Sequence, residues 1–430
     1  MEQKQYVVIS CPIDTYSGYG SRARDFVKAT VEAKKDEWDV WVMPQRWGET
    51  PWGYIEDHKG EWGWLLPKML PFGQPLNQQP DVWMQITVPN EFQPIGNYNI
   101  GVTAGIETTL CHHEWLMGLN RMDLNLVSSE HSKQVFLHTK AKDNNSNHIL
   151  ELTKPVEVLF EGVDLNTYFE IQDDDLPEVD VVTSLDEIDE NFAFLFVGHW
   201  LQGEFGHDRK NIGQTIKVFL ETFKNKHNSP ALILKTACHN GSIMDHTDVL
   251  NKINSIKKTV KAKKLPNIYL LHGELEECEI NYLYNHPKVK AMVNFTKGEG
   301  FGRPLLEFSM FKKPIIASGW SGHLDFLNKD FVNLVEGKLQ PIHQSAVMEN
   351  ILVKESFWFE IDPVVASQKM VDVWSNYKKY EANAKRQTHY AKENFSFEKM
   401  VEKLKEYYDK NVKKTPKLVL PTLPKLTKLK

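Results

Sequence analysis

Two α/β domains, each a parallel sheet wound with helices on both faces and opening on a shared cleft, are the fold class that this sequence predicts. Three observations lead there. Short apolar runs fall into two sets, the first at residues 6–10, 39–43, 81–86, 99–103, 124–127 and 156–160. The second set lies at 192–197, 231–235, 268–271, 291–295, 314–317 and 333–335. Strands buried on both faces of a parallel sheet read as such runs, without polar alternation. Helix-like segments such as 213–223 separate most of them, and strand–helix alternation winds a sheet in parallel. Between the sets, residues 171–190 carry Asp173, Asp174, Asp175, Glu178, Asp180, Asp186 and Glu187, which predicts a solvated acidic linker.

The division that follows is a Rossmann-like domain over 1–170, the linker 171–190 and a second Rossmann-like domain over 191–363. Helices over 364–412 and a basic tail over 413–430 complete it. A chain of 430 residues has room for two cores. No apolar run approaches the roughly 20 residues of a membrane helix, and Met1-Glu-Gln-Lys-Gln5 has no signal-peptide shape. Cys11, Cys111, Cys238 and Cys278 are scattered, as expected of reduced thiols in the cytoplasm. A net charge of −6 argues against a dedicated nucleic-acid coat. The tail holds Lys413, Lys414, Lys417, Lys425, Lys428 and Lys430 with three prolines and no acid, the composition of a solvated extension.

Chemistry concentrates in Phe295-Thr-Lys-Gly298-Glu299-Gly300-Phe301-Gly302-Arg303-Pro304-Leu-Leu-Glu307. A strand, a glycine turn and a helix start leave backbone N–H groups free to hold phosphate. Glu299 and Glu307 suit the hydroxyls of a ribose and a sugar, not the anion itself. An isolated pair would read as loop surface and a dipole complement. The surroundings favour the hydroxyl reading.

This segment resembles the E-x7-E signature of the GT4-like (group 1) glycosyltransferases, a family of GT-B fold that uses nucleotide sugars. The likeness extends to Asn267-Ile-Tyr-Leu-Leu-His-Gly273, to Lys313-Pro314-Ile-Ile-Ala-Ser-Gly319 and to Val156-Glu-Val-Leu-Phe-Glu-Gly162-Val-Asp164 with Phe169. It covers most of residues 1–400. The resemblance implies a GT-B architecture whose C-terminal helices cross back to the first domain. It also implies a nucleoside diphosphate sugar bound by the second domain, an acceptor facing the first, and retention of anomeric configuration. By the same likeness Glu299 holds sugar hydroxyls and Glu307 the ribose, with Gly300, Phe301, Gly302 and Arg303 forming the donor turn. Arg209 and Lys210 match the basic pair that meets the diphosphate. The family's Arg directly after the strand glycine is absent, since His199 follows Gly198 and a longer loop intervenes.

In the first domain, Tyr16-Ser-Gly18-Tyr-Gly20-Ser21 resembles the glycine loop that the family places over the donor. Family members commonly carry a His at the end of the fourth strand. Here Gly105-Ile-Glu107 stands there, with His112 and His113 shortly after. Glu107 or either His is the candidate to take the acceptor proton. Seven tryptophans fall between Trp38 and Trp83. Trp47, Trp52 and Trp62 in the Gly/Pro-broken part are the candidate acceptor platform, because flat indoles stack on sugar rings and unstacked bases.

No metal is required by this scheme. Contiguous Cys111-His-His-Glu114 cannot easily converge on one ion, and Asp173 and Asp175 lie in the linker. Pro89–Pro94 with Gly101–Thr109 resembles GT4-like proteins encoded by large tailed phages, which include candidates for decorating hydroxymethylated DNA bases. Acceptor classes therefore stay open among glycan, small molecule and hydroxymethylated DNA. A catalytically silent sugar-binding protein on the same fold is the alternative of another class.

Overall fold

The structure, a computed structural model, describes residues 4–142, 149–238 and 241–413. Most of the basic tail, 414–430, lies outside the described residues. Every expected apolar run proves to be a strand. The first sheet contains β1 (Gln5–Cys11), β2 (Trp38–Pro44), β3 (Val82–Ile86), β4 (Tyr98–Thr103), β5 (Leu124–Val127) and β6 (Val156–Val158), in the order β2-β1-β3-β4-β5-β6. All pairs are parallel, and Val7 in β1 stands level with Val40 and Val82. The second sheet contains β7 (Ala193–Val197), β8 (Ala231–Lys235), β9 (Ile268–Leu271), β10 (Val289–Asn294), β11 (Ile315–Ser318) and β12 (Asn333–Val335), also all parallel. Its order is β9-β8-β7-β10-β11-β12. The winding direction reverses between β7 and β10, and open α/β sheets bind ligands outside the carboxyl ends of strands at such a switch.

A continuous apolar cluster joins the two domains. It runs from Ile9 and Phe26 through Leu404 and Tyr408 to Leu195 and Leu305. The last helix, Phe397–Asn411, crosses back to the first domain and packs on the Gly18–Lys34 helix. There the Tyr408 hydroxyl meets Thr30 Oγ1 at 2.8 Å, and its ring lies 4.6 Å from that of Trp38. Two chain crossings are tied side by side. Val163 donates to the Phe395 carbonyl (3.0 Å) and Phe397 to that of Val163 (2.9 Å). Gly162 is needed at this point, since a Cβ would lie 2.7 Å from the Phe397 Cα. The buried Arg22 guanidinium donates to the carbonyls of Phe160 (3.0 Å) and Leu159 (2.6 Å) and fixes the same crossing.

Two expectations are corrected. The acidic stretch is not simply a solvated linker, because Asp180–Asp186 forms a helix that buries Val181, Val182 and Leu185. Those apolar positions share one helix face while the acids point away. The supposed glycine loop is the first turn of the Gly18–Lys34 helix, capped by Ser17, whose hydroxyl accepts from Gly20 N at 2.9 Å. An antiparallel hairpin of β13 (Gly337–Pro341) and β14 (Phe357–Ile361) was not anticipated. It reaches across to the first domain, where Thr109 N donates to the Phe357 carbonyl (3.0 Å) and Phe357 N to Thr109 Oγ1 (2.9 Å). Among the described residues no helix is long and apolar enough to cross a membrane.

Gly18 and Gly20 are predicted to differ. A Cβ on Gly20 would stand 2.2 Å from the Thr15 carbonyl oxygen, which is held by Arg24, whereas Gly18 faces open space. Gly20→Ala should cost about 1–3 kcal/mol through overpacking and Gly18→Ala far less, as read from denaturant midpoints.

Candidate active site

The loops that leave β7 and β10 meet at the switch point. Asp208 accepts from Ile212 N (3.0 Å) and Asn211 adopts a left-handed conformation (φ 56°), making a tight turn before the Ile212–Phe223 helix. That turn presents Arg209 and Lys210. It is zipped to the β10 loop by Lys297 N, which donates to the Arg209 carbonyl at 2.8 Å. Lys210 Nζ then donates to Glu299 Oε1 at 2.6 Å, and Arg209 Nη1 lies 3.4 Å from Glu299 Oε2. The first domain completes the cluster, with Glu107 Oε1 3.4 Å from the same Arg209 Nη1. The Glu299 side chain is only 6% exposed.

The two glutamates of the E-x7-E segment are tuned in opposite directions. Burial disfavours the Glu299 carboxylate, but Lys210, Arg209 and the Lys210 hydrogen bond outweigh it and bring its pKa to about 2. Burial raises Glu307, with only partial compensation from Arg303 and Tyr284. Arg303 Nε donates to Glu307 Oε1 at 2.8 Å and the Tyr284 hydroxyl to Oε2 at 3.2 Å. Arg303 Nη1 also pairs with Asp25 of the first domain. Burial lowers the Lys210 ammonium. It acts the same way on Arg209, where Glu107 and Glu299 more than compensate.

Glycines permit the domains to touch along their backbones. A Cβ on Gly298 would lie 1.9 Å from the Glu107 carbonyl oxygen, and one on Gly300 2.2 Å from that of Ala104. Gly302 caps the Arg303–Phe308 helix at φ 97°. The Phe301 ring is buried against Phe326, so only its backbone is left to meet a ligand.

The structure thus brings Glu107, Arg209, Lys210 and Glu299 together and sets Arg303 and Glu307 beside the domain boundary. Other candidates are placed elsewhere. His113 opens the His113–Leu119 helix and His112 caps it, accepting from Glu114 N at 3.4 Å. Trp62 is a correction: at 2% exposure it belongs to the core and cannot be an open platform. Trp52 pairs edge-on with Phe72, beneath the Arg46 guanidinium. Trp47 stacks on Tyr19 at 3.9 Å. Tyr19, which the sequence reading missed, accepts from Ala104 N through its hydroxyl (3.2 Å) and so supports the turn before Glu107. Also missed were His131, Trp320 and His323. The signal for the last two was position, since both follow β11 at the carboxyl end of the sheet.

Solved structures that superpose on nearly the whole chain include a glycosyltransferase from Rickettsia africae, at 14% identity and TM-score 0.64 over 96% of this chain and 100% of the other. Anabaena HepE in complex with UDP-glucose matches at 13% identity and TM-score 0.60, over 94% and 100%. A UDP-forming α,α-trehalose-phosphate synthase from Burkholderia xenovorans matches at 9% and 0.60, over 96% and 100%. The chain has the GT-B fold. No protein-family model matches it, and no curated protein matches it by sequence. At these identities the GT-B likeness establishes architecture alone.

The site predicts an acid-sensitive stability. Burial, together with the field of His323, takes the His131 imidazole from 6.5 down to about 4. As pH falls, the unfolded chain therefore takes up this proton first. The stability held by neutral His131 is complete above about pH 6.5 and is lost as pH falls towards 4. Urea unfolding of the wild type and His131→Asn across that window checks it, with the variant expected to lose less.

Proposed function

We propose that this chain is a glycosyltransferase that moves a sugar from a nucleoside diphosphate sugar to an acceptor hydroxyl. The observation that carries the reading is the convergence of Lys210, Arg209 and Glu299 at the topological switch, with Glu107 reaching in from the opposite domain. HepE, of the same architecture, is solved with UDP-glucose. The donor is a co-substrate, and the scheme needs no further cofactor. The chain works in the cytoplasm, that of a host cell if it is phage-encoded.

The chemical problem is departure of a diphosphate while the anomeric carbon becomes oxocarbenium-like. Arg209 and Lys210 exchange their carboxylate partners for phosphate oxygens and stabilise the charge as it develops. Glu299, ionised throughout the neutral range, accepts from sugar hydroxyls. Glu307 accepts from the ribose, sharing that carboxylate with Arg303. Glu107, which reaches Arg209 from the first domain, is the group that takes the acceptor proton in this scheme. The retention that the E-x7-E resemblance implies then proceeds by front-face displacement assisted by the leaving phosphate, since no second carboxylate is assigned as a nucleophile. Closure of the domains keeps water from competing.

Direct assay of nucleotide-sugar turnover tests the reading. Lys210→Ala should lower kcat about 10²–10³-fold while raising the donor KM much less. Glu307→Ala should weaken UDP binding by about 1.5–3 kcal/mol in calorimetry. Unchanged turnover and unchanged affinity in folded variants would sink it.

For the acceptor, the default is a glycan or small molecule, with hydroxymethylated DNA the second reading. Trp52 under Arg46 supports that second reading, because an indole with a guanidinium is a sequence-tolerant seat for an extruded base. Trp52→Ala should raise the KM for such DNA by about 1–3 kcal/mol equivalent. Transfer should also weaken as salt rises. Mass spectrometry of hydroxymethylated DNA after incubation with a nucleotide sugar decides, an unmodified product removing the DNA reading.

A further inference from the structure

Three side chains at and across from the loop that holds Glu299 have no part in the scheme above. His131 lies in the Glu130–His138 helix after β5, while Trp320 and His323 lie in the loop after β11. That loop holds Glu299 in place: Ser321 Oγ accepts from Glu299 N at 2.9 Å, and Gly322 N donates to the Glu299 carbonyl at 3.0 Å. The half-buried Trp320 indole meets the His131 ring edge-on at 4.7 Å, across the domain boundary. Its other neighbour is Phe359 of β14, stacked at 6.2 Å. A Cβ on Gly298 would come 3.0 Å from the Trp320 ring, so the indole lies directly over the turn that leads into Glu299.

The two imidazoles are incompletely satisfied. His323 is fully buried and its Nε2 lies 2.7 Å from the Ser318 carbonyl, which assigns the proton to Nε2 and leaves Nδ1 as an acceptor. That Nδ1 is buried with no hydrogen-bond partner, and so is His131 Nε2. Buried polar atoms of folded proteins are paired in the great majority, so two neighbouring orphans beside a cleft call for an account. Burial lowers both imidazoles, so at neutral pH they offer lone pairs and N–H groups and no positive charge. The cations suited to phosphate, Arg209 and Lys210, are paired with the Glu299 carboxylate.

We propose that His131, Trp320 and His323 form the wall of the cleft that recognises an uncharged, hydroxylated sugar ring and sets which sugar is used. An aromatic face takes the C–H face of such a ring. Neutral imidazole nitrogens and the Glu299 carboxylate take its hydroxyls. The inference rests on the glycosyl-transfer reading. The ring belongs either to the donor sugar or to the acceptor, and both present the same chemistry.

The test uses the full chain with UDP, UDP-glucose and a panel of other UDP-sugars. It compares the wild type with His131→Ala, His323→Ala and Trp320→Ala. UDP affinity by calorimetry should stay within about twofold, while loss of a ring contact raises one KM at least about tenfold. A rise in the UDP-sugar KM, seen also in acceptor-free hydrolysis, assigns the ring to the donor. A rise in the acceptor KM with hydrolysis unchanged assigns it to the acceptor. His131→Gln and Trp320→Phe, which keep a polar atom or a ring, should recover part of the loss and serve where an alanine variant fails to fold. Folded variants that use donor and acceptor as the wild type does overturn this inference alone. A wild type that neither binds nor turns over any nucleotide sugar overturns the glycosyl-transfer reading, and this inference with it.

Discussion

The structure depends on keeping two cations in a buried cleft without an uncompensated charge. Arg209 and Lys210 sit just ahead of the Ile212–Phe223 helix, whose amino end repels positive charge. Isolated there they would be costly. Glu299 and Glu107 supply the missing anions, one from the same domain and one from the other. The cluster is neutral as it stands. On the glycosyl-transfer reading, a diphosphate would compete with these carboxylates for the two cations.

The same neutralising logic extends along the E-x7-E segment. Arg303 answers Glu307 from one turn away and Asp25 from the opposite domain. Each glutamate of the pair is therefore connected, through an arginine, to an acid of the first domain. Glycines at 298 and 300 let the backbones come close enough for those links to form. Any side chain at either place would hold the domains apart.

Much of the architecture was legible because buried parallel strands carry an unbroken apolar signature that survives without partners in view. All strands of both sheets were visible in this way. The Phe357–Ile361 strand was not, since its meaning comes from pairing with Gly337–Pro341 across an intervening loop. The acidic stretch misled because charge density hid Val181, Val182 and Leu185 on one helix face. Trp62 misled because a Gly/Pro-broken run looks like open loop, whereas here it folds back onto the core. Within the site, Arg209, Lys210 and Glu299 were readable from motif order. The Arg303–Asp25 contact spans 278 positions, and no local pattern can announce it. His131 and His323 were invisible for a related reason, as single histidines acquire significance only through what surrounds them.

The two bonds between Thr109 and Phe357 have a kinetic meaning. They join a hairpin of the second domain to the segment that follows β4, so neither survives if the domains separate. Both amide hydrogens are donated across the domain boundary. Their exchange with solvent deuterium would therefore report a separation of the domains, at two backbone positions outside the Arg209–Glu299 cluster. A residue pair of this kind would let any such separation be timed without altering a single side chain in the cleft.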